Sequence, residues 1–128
     1  MTSLEKGNIG ESLIFTLLKD HSIETEWLPV GENADFKLSD GRLIDVKFSK
    51  QSSTKNSGWR FNLHHHGEKQ PDIAFFICIA RKENGSDMIF VMPGHLLGGK
   101  TWTISERQID RGTYDYFQDN FDIIKNKA

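Results

Sequence analysis

Apolar and polar positions change period several times along the chain, and each change predicts an element. Ile9, Leu13, Phe15, Leu17 and Leu18 give a broad apolar surface at helical spacing, ending before Asp20 and His21. Asn8 and Glu11 have capping-box spacing, so a first helix is expected to start there. A short strand is expected around Glu26 to Val30, closed by Pro29 and Gly31. From Ala34 the period falls to two. Ala34, Phe36 and Leu38 alternate with Asp35 and Lys37; Ser39, Asp40 and Gly41 read as a turn; Ile44, Val46 and Phe48 alternate with Asp45 and Lys47. This pattern predicts a hairpin with one dry face and one wet face.

The register follows from the same pattern. Both apolar sets face one side only if paired positions sum to an even number. A three-residue loop, Ser39 to Gly41 with glycine in the left-handed position, gives that register. It pairs Phe36 with Ile44 and Ala34 with Val46, and it sets Asp35 opposite Asp45.

Further along lie a polar loop (Gln51 to Gly58), a strand from Trp59 to about Leu63 and a histidine-containing bend. The run Ile73 to Ala80 reads as a central strand buried on both faces. Asn84-Gly85 is a turn with Met88 to Met92 as its hairpin partner; Pro93 to Leu97 suggests a helical turn, and Thr101 to Ile104 another strand. Tyr114, Phe117 and Phe121 have helical spacing, so the chain is expected to end on a helix. The sum is an α/β domain, residues 1–128, with a mixed β-sheet flanked by helices.

Composition narrows the setting. The longest strongly apolar run is far short of the ~20 residues that span a bilayer, and Met1 to Lys6 has no signal-peptide pattern. A cytoplasmic protein with no membrane partner is expected. Cys78 is the single cysteine and sits in the apolar run from Phe75 to Ile79, so it reads as a buried, inert thiol. The net charge of −2 does not advertise nucleic-acid binding. Its distribution is more informative. Lys47, Lys50, Lys55, Arg60 and Lys69 face a single acid, Glu68, between Lys47 and Lys69, and three histidines join them. Such a segment can contact phosphates, although a solvated lysine-bearing loop has the same composition.

The hairpin carries the chemistry. Two opposed carboxylates with Cβ atoms roughly 5 Å apart repel each other unless something neutralises them. A hard divalent cation with oxygen ligands does so. Lys47 points to the same face as Asp45. Two acids and a lysine on one face suit phosphodiester hydrolysis: a metal holds a phosphate oxygen and activates water, and a lysine offsets charge building on phosphorus. A solvent-exposed face of alternating charges is the competing account. Opposing Asp to Asp rather than Asp to Lys weighs against it.

These residues resemble the PD-(D/E)xK nuclease superfamily, especially its Holliday-junction-resolvase-like and intron-encoded or restriction-type members. Gly7-Asn8-Ile9-Gly10-Glu11 is similar to the G-x-x-G-E helix start of several such groups. Asn33-Ala34-Asp35-Phe36 stands for "PD", with alanine in the proline position, and Asp45-Val46-Lys47 fills "(D/E)xK". The resemblance covers about residues 7 to 92 and implies a restriction-endonuclease-like core. It implies a catalytic set of Glu11, Asp35, Asp45 and Lys47, with Asp35, Asp45 and Glu11 around Mg²⁺, for which Mn²⁺ can substitute. The crossover helix usual after the triplet is not evident, and the bend from His64 to Asp72 stands in its place.

Other residues complete the expectations. Three neighbouring histidines alternate faces, so His64, His65 and His66 do not make a zinc site by themselves. Lys50, Lys55, Arg60, His64, His66 and Lys69 are candidate nucleic-acid contacts, with Gln70 beside them; Trp59 reads as core. Gly98-Gly99-Lys100 lacks the spacing of a phosphate loop and reads as a turn. The expected function is a Mg²⁺-dependent endonuclease hydrolysing DNA. One centre per chain suggests a homodimer for cutting both strands. A catalytically silent nucleic-acid-binding module on the same fold is the alternative, and a charged scaffold without a nucleic-acid role is a third.

Overall fold

The predicted hairpin is present, and a larger sheet is organised around it. The computed structural model describes residues 3–29, 34–52, 58–64 and 72–125, and side chains from Ile9 onward. Its elements are α1 (Ser3–Asp20), β1 (Thr25–Trp27), β2 (Phe36–Leu38), β3 (Leu43–Lys50), β4 (Gly58–Asn62), β5 (Ile73–Arg81), β6 (Asp87–Pro93), β7 (Thr101–Ser105), α2 (Glu106–Asp110) and α3 (Asp122–Lys125). Five strands form one sheet in the order β1-β2-β3-β5-β6, antiparallel except where β3 runs parallel to β5. β4 and β7 form a separate antiparallel ribbon. The result is the expected α/β class with a mixed sheet flanked by helices.

Each face of the sheet has its own core. On one face Ile44, Ile77, Ile79 and Val91 pack against Ile14 and Leu18 of α1 and against Phe121 and Ile124 near the C-terminus. On the other, Phe76, Cys78, Ala80 and Phe90 lie beneath Trp59 and Phe61 of β4 and Trp102 and Ile104 of β7. β5 is buried on both faces, as its uninterrupted apolar run predicts. Cys78 is fully buried within it, and desolvation pushes its thiol up, away from the reactive thiolate.

The turn matches its prediction closely. Phe36 pairs with Ile44, and Gly41 takes φ +93°, a conformation that glycine adopts without strain. Arg42 then ties the turn to the C-terminus. Its guanidinium bonds Asp40 at 2.7 Å and the Ile124 carbonyl at 2.8 Å.

Several expectations need correction. The first helix starts at Ser3, so Asn8 lies inside it and is not its cap. A capping box forms instead at Ser105, with Gln108, and starts α2, which was not anticipated. β1 is shorter than expected, and residues 30–33 lie outside the described part. The parallel β3–β5 connection contains β4 rather than a crossover helix among the described residues; residues 65–71 of the bend lie outside them. The last described element is a helix, α3, as expected, but Tyr114, Phe117 and Phe121 precede it and do not share one helix. Tyr114 and Phe117 pack with the second core and Phe121 with the first, because the chain passes the free edge of β6 between them. There Gln118 bridges to Phe90, and Asp119, at φ +54°, donates its N–H to the Ile89 carbonyl. Among the described residues, no helix is long and apolar enough to cross a membrane.

Candidate active site

The acids meet where β2 leaves β3. Strand pairing between these two covers Phe36 with Ile44 and Lys37 with Leu43, and then the strands part. Asp35 sits in the fork. Its N–H donates to the Ile44 carbonyl at 3.0 Å, and its own carbonyl accepts from Leu28 N–H at 2.9 Å. Its carboxylate Oδ2 accepts the Val46 N–H at 2.7 Å. A side chain therefore satisfies the β3 edge where a strand would have done so. The expected strand pairs of Asp35 with Asp45 and of Ala34 with Val46 do not form, and Ala34 turns into the second core.

Asp45, one residue past Ile44, points to the opposite face from α1's core. It is only 5% exposed. The expectation of a wet hairpin face holds at Lys37, which is exposed, and fails at Asp45, on a side of the sheet that the β4–β7 ribbon covers. Lys47 follows on the same face, with Nζ 2.8 Å from Asp45 Oδ2. Although close enough for an ion pair, this contact leaves Oδ2 without a well-aligned hydrogen bond among the described residues. A buried carboxylate oxygen in that condition has a lone pair available to a cation.

Electrostatics join the four residues. Burial pushes Asp35 up to about 6, reinforced by a hydrogen bond with Glu11 and opposed by the Val46 N–H. Burial pushes Asp45 up to about 7, reinforced by the neighbouring Asp35 and opposed by Lys47. The two aspartates interact closely enough to share a proton readily when no metal ion is near. Glu11 reaches Asp35 from α1. That approach needs the helix close to the sheet, and Gly10 permits it: a Cβ there would stand 3.2 Å from Ile79 Cδ1. The fork thus brings together Glu11, Asp35, Asp45 and Lys47.

No group of three His, Cys, Asp or Glu side chains among the described residues forms a ready metal cage. This donor set does fit a magnesium ion, which is commonly held by one or two carboxylates and completed by water and substrate phosphates. Asp35 and Asp45 would be those carboxylates.

The candidate nucleic-acid contacts divide. Lys50, at the exposed end of β3, and Arg60, exposed on β4, line one shallow groove with Ser105 and Gln108. His64 lies elsewhere, on a concavity of about 750 Å³ walled by Asp40, Arg42, Asp72 and His95, to which none of the four fork residues contributes. Lys55, His66, Lys69 and Gln70 lie outside the described residues. Trp59 is core, as expected, and Gly98 to Lys100 is a bend rather than a phosphate loop. One polar residue escaped the sequence reading. Ser49 is buried on the same face as Asp45 and Lys47, and its Oγ accepts the Arg60 N–H at 3.1 Å, fixing β4 against β3. One further step of the period-two pattern points to it.

No family model matches this sequence, and no curated protein matches it. Among solved structures, the chain is similar to a bacterial homing endonuclease, I-Ssp6803I. The TM-score is 0.70 at 15% identity, covering 97% of this chain and 93% of that one. At this identity the likeness is one of fold: a mixed sheet flanked by helices.

Proposed function

We propose that the chain is a metal-dependent DNA endonuclease of the PD-(D/E)xK kind, using Mg²⁺ or Mn²⁺ and acting as a homodimer when both strands are cut. The observation that carries this reading is the fork itself. A buried aspartate touches a lysine and a second aspartate, a glutamate stands behind them, and one carboxylate oxygen lacks a well-aligned hydrogen bond. Burying so much charge is unfavourable for the fold alone. The similarity over nearly the whole chain to a protein titled a homing endonuclease supports the same reading.

Each residue has a part. Asp35 and Asp45 hold the metal, with Asp35 kept in place by the Val46 N–H. Glu11 contributes a further ligand or positions water. A bound Mg²⁺ supplies Lewis acidity toward a phosphate oxygen and toward water. Lys47, held against Asp45, orients the attacking water and offsets the charge that develops at phosphorus. Lys50, Lys55, Arg60, His66 and Lys69 are the proposed DNA contacts; His64 stands on a separate concavity and is the weakest member of that set.

Nicking of supercoiled plasmid tests the reading. The wild-type protein should nick with Mg²⁺ or Mn²⁺ and not in EDTA. Asp45→Asn, which keeps volume and removes the charge, should fold and fail to nick. Undiminished cleavage by this variant sinks the assignment. DNA binding by the wild type without nicking in either metal would instead identify a silent binding module.

A further inference from the structure

The β4–β7 ribbon has two unlike faces. Inward, Trp59, Phe61, Trp102 and Ile104 are buried, and Trp102 packs against Phe61, Phe90 and Tyr114 at centroid distances of 5.5, 6.2 and 5.2 Å. Outward, the cross-strand pairs are Arg60 with Thr103 and Asn62 with Thr101, followed by Gly58 with Ser105. Every outward side chain on these strands bears a hydrogen-bonding group except glycine, and none is acidic. Lys50 and Lys100 lie exposed beside the ribbon. Glu106, the nearest acid in sequence, is engaged by Gln51 Nε2 at 2.5 Å.

We infer that this outer face is a base-reading surface that enters the major groove of duplex DNA. The inference rests on the proposed DNA-cleaving function and adds where sequence is read. A two-stranded ribbon fits the width of the major groove. The side chains it presents suit that groove's edges: arginine pairs with guanine O6 and N7, asparagine with adenine N6 and N7, and threonine bonds either way or packs on the thymine methyl. The aromatic inner face holds the ribbon rigid, as readout requires. The ribbon is also registered to the catalytic strand through Arg60 N–H on Ser49 Oγ. Ser49 lies four residues beyond Asp45 on β3, roughly 13 Å along an extended strand. At ~3.4 Å per base pair, the bases read should lie about four base pairs from the phosphate at the fork. Arg60 is then a specificity residue rather than one more phosphate contact.

Selection from a randomised duplex library, with binding in Ca²⁺ so that DNA stays uncut, tests this. The wild-type protein should enrich a short motif. Arg60→Ala and Asn62→Ala should each lose discrimination at one position of it by roughly ten- to a hundred-fold, with the rest of the motif retained. Replacing the preferred guanine by 7-deazaguanine, which removes only the major-groove N7, should weaken wild-type binding and leave Arg60→Ala unaffected. Circular dichroism would confirm that the variants fold. If both variants enrich the wild-type motif with equal discrimination, or the wild type enriches no motif, the ribbon does not read bases. Plasmid nicking run in parallel separates the two ideas, since a protein that nicks but fails here refutes the ribbon alone.

Discussion

The fork between β2 and β3 and the β4–β7 ribbon border the same face of one sheet and are built on opposite terms. The fork buries charge: Asp45 is nearly inaccessible, Asp35 half-buried, and both carboxyls are pushed toward neutrality by desolvation. The ribbon buries aromatics and sends its polar groups to solvent. In the fork, what the proposed function requires opposes folding; in the ribbon, the proposed reading face and the packing face are different and do not compete. Local strain of this kind is expected at a catalytic centre and not at a recognition surface.

The largest effect that could break this contrast is catalytic. Lys47→Ala should lower single-turnover cleavage in Mg²⁺ by roughly a hundred-fold or more, yet cost little DNA affinity in Ca²⁺. In the proposed mechanism Lys47 acts on developing charge rather than on docking, so the loss belongs to the rate. A variant that cleaves normally at saturation but binds poorly would move Lys47 from the fork's chemistry to the binding surface.

A second effect, smaller, concerns stability without metal. Asp35 and Asp45 have folded-state values raised above the unfolded ones, so the native state holds more protons between about pH 4 and 7. The stability they contribute is complete below that window and lost as pH rises through it. Asp45→Asn removes one titrating group. It also removes the partner of Lys47, but at about pH 5 the wild-type Asp45 is itself largely protonated, so that loss is common to both proteins. The difference in Tm, variant minus wild type, should therefore grow between about pH 5 and 8. The gain is about 2–3 kcal/mol at most, on the order of 10 °C. Mg²⁺, binding the wild type alone, should shrink it. A difference that stays flat across the window would mean that Asp45 titrates normally, and the fork would not be a site of stored charge.

Much of this arrangement was legible because it is local. The hairpin register depends on alternation over a few residues and on a glycine in the left-handed region, and both are present at Phe36, Ile44 and Gly41. Asp45 and Lys47 share a face by alternation along β3, whereas Asp35 lies just past the paired register and is brought to them by its own bonds, N–H to the Ile44 carbonyl and carboxylate to the Val46 N–H. The burial of Asp45 was not legible, because a strand's pattern does not say what covers it. Here the cover comes from β4 and β7, the latter distant in sequence. The placement of three aromatic residues before α3 has a similar origin. Tyr114, Phe117 and Phe121 have helical spacing, but they satisfy two cores on opposite faces of the sheet. The capping box at Ser105 and Gln108, by contrast, is a local signal that the sequence carries.

The smallest effect tests the boundary between the two regions. Lys50 ends β3, is exposed, and forms no ion pair among the described residues; its neighbour in register, Arg81, is already occupied by Asp87 at 2.9 Å. Lining the same groove as Arg60 at the end of β3, it can contact a phosphate or join the base-reading set. A phosphate contact carries no sequence information, so Lys50→Ala should weaken binding by the same few-fold factor on the selected site and on random duplex. It should also reduce the slope of log affinity against log salt by roughly one. Arg60→Ala should behave differently, costing more on the selected site than on random DNA. Titrations of both variants on both duplexes across a salt series supply the comparison. A sequence-dependent loss for Lys50→Ala would extend the reading surface onto β3 itself. The sheet that carries the chemistry would then also carry part of the recognition, and the separation between the two regions would fail at that residue.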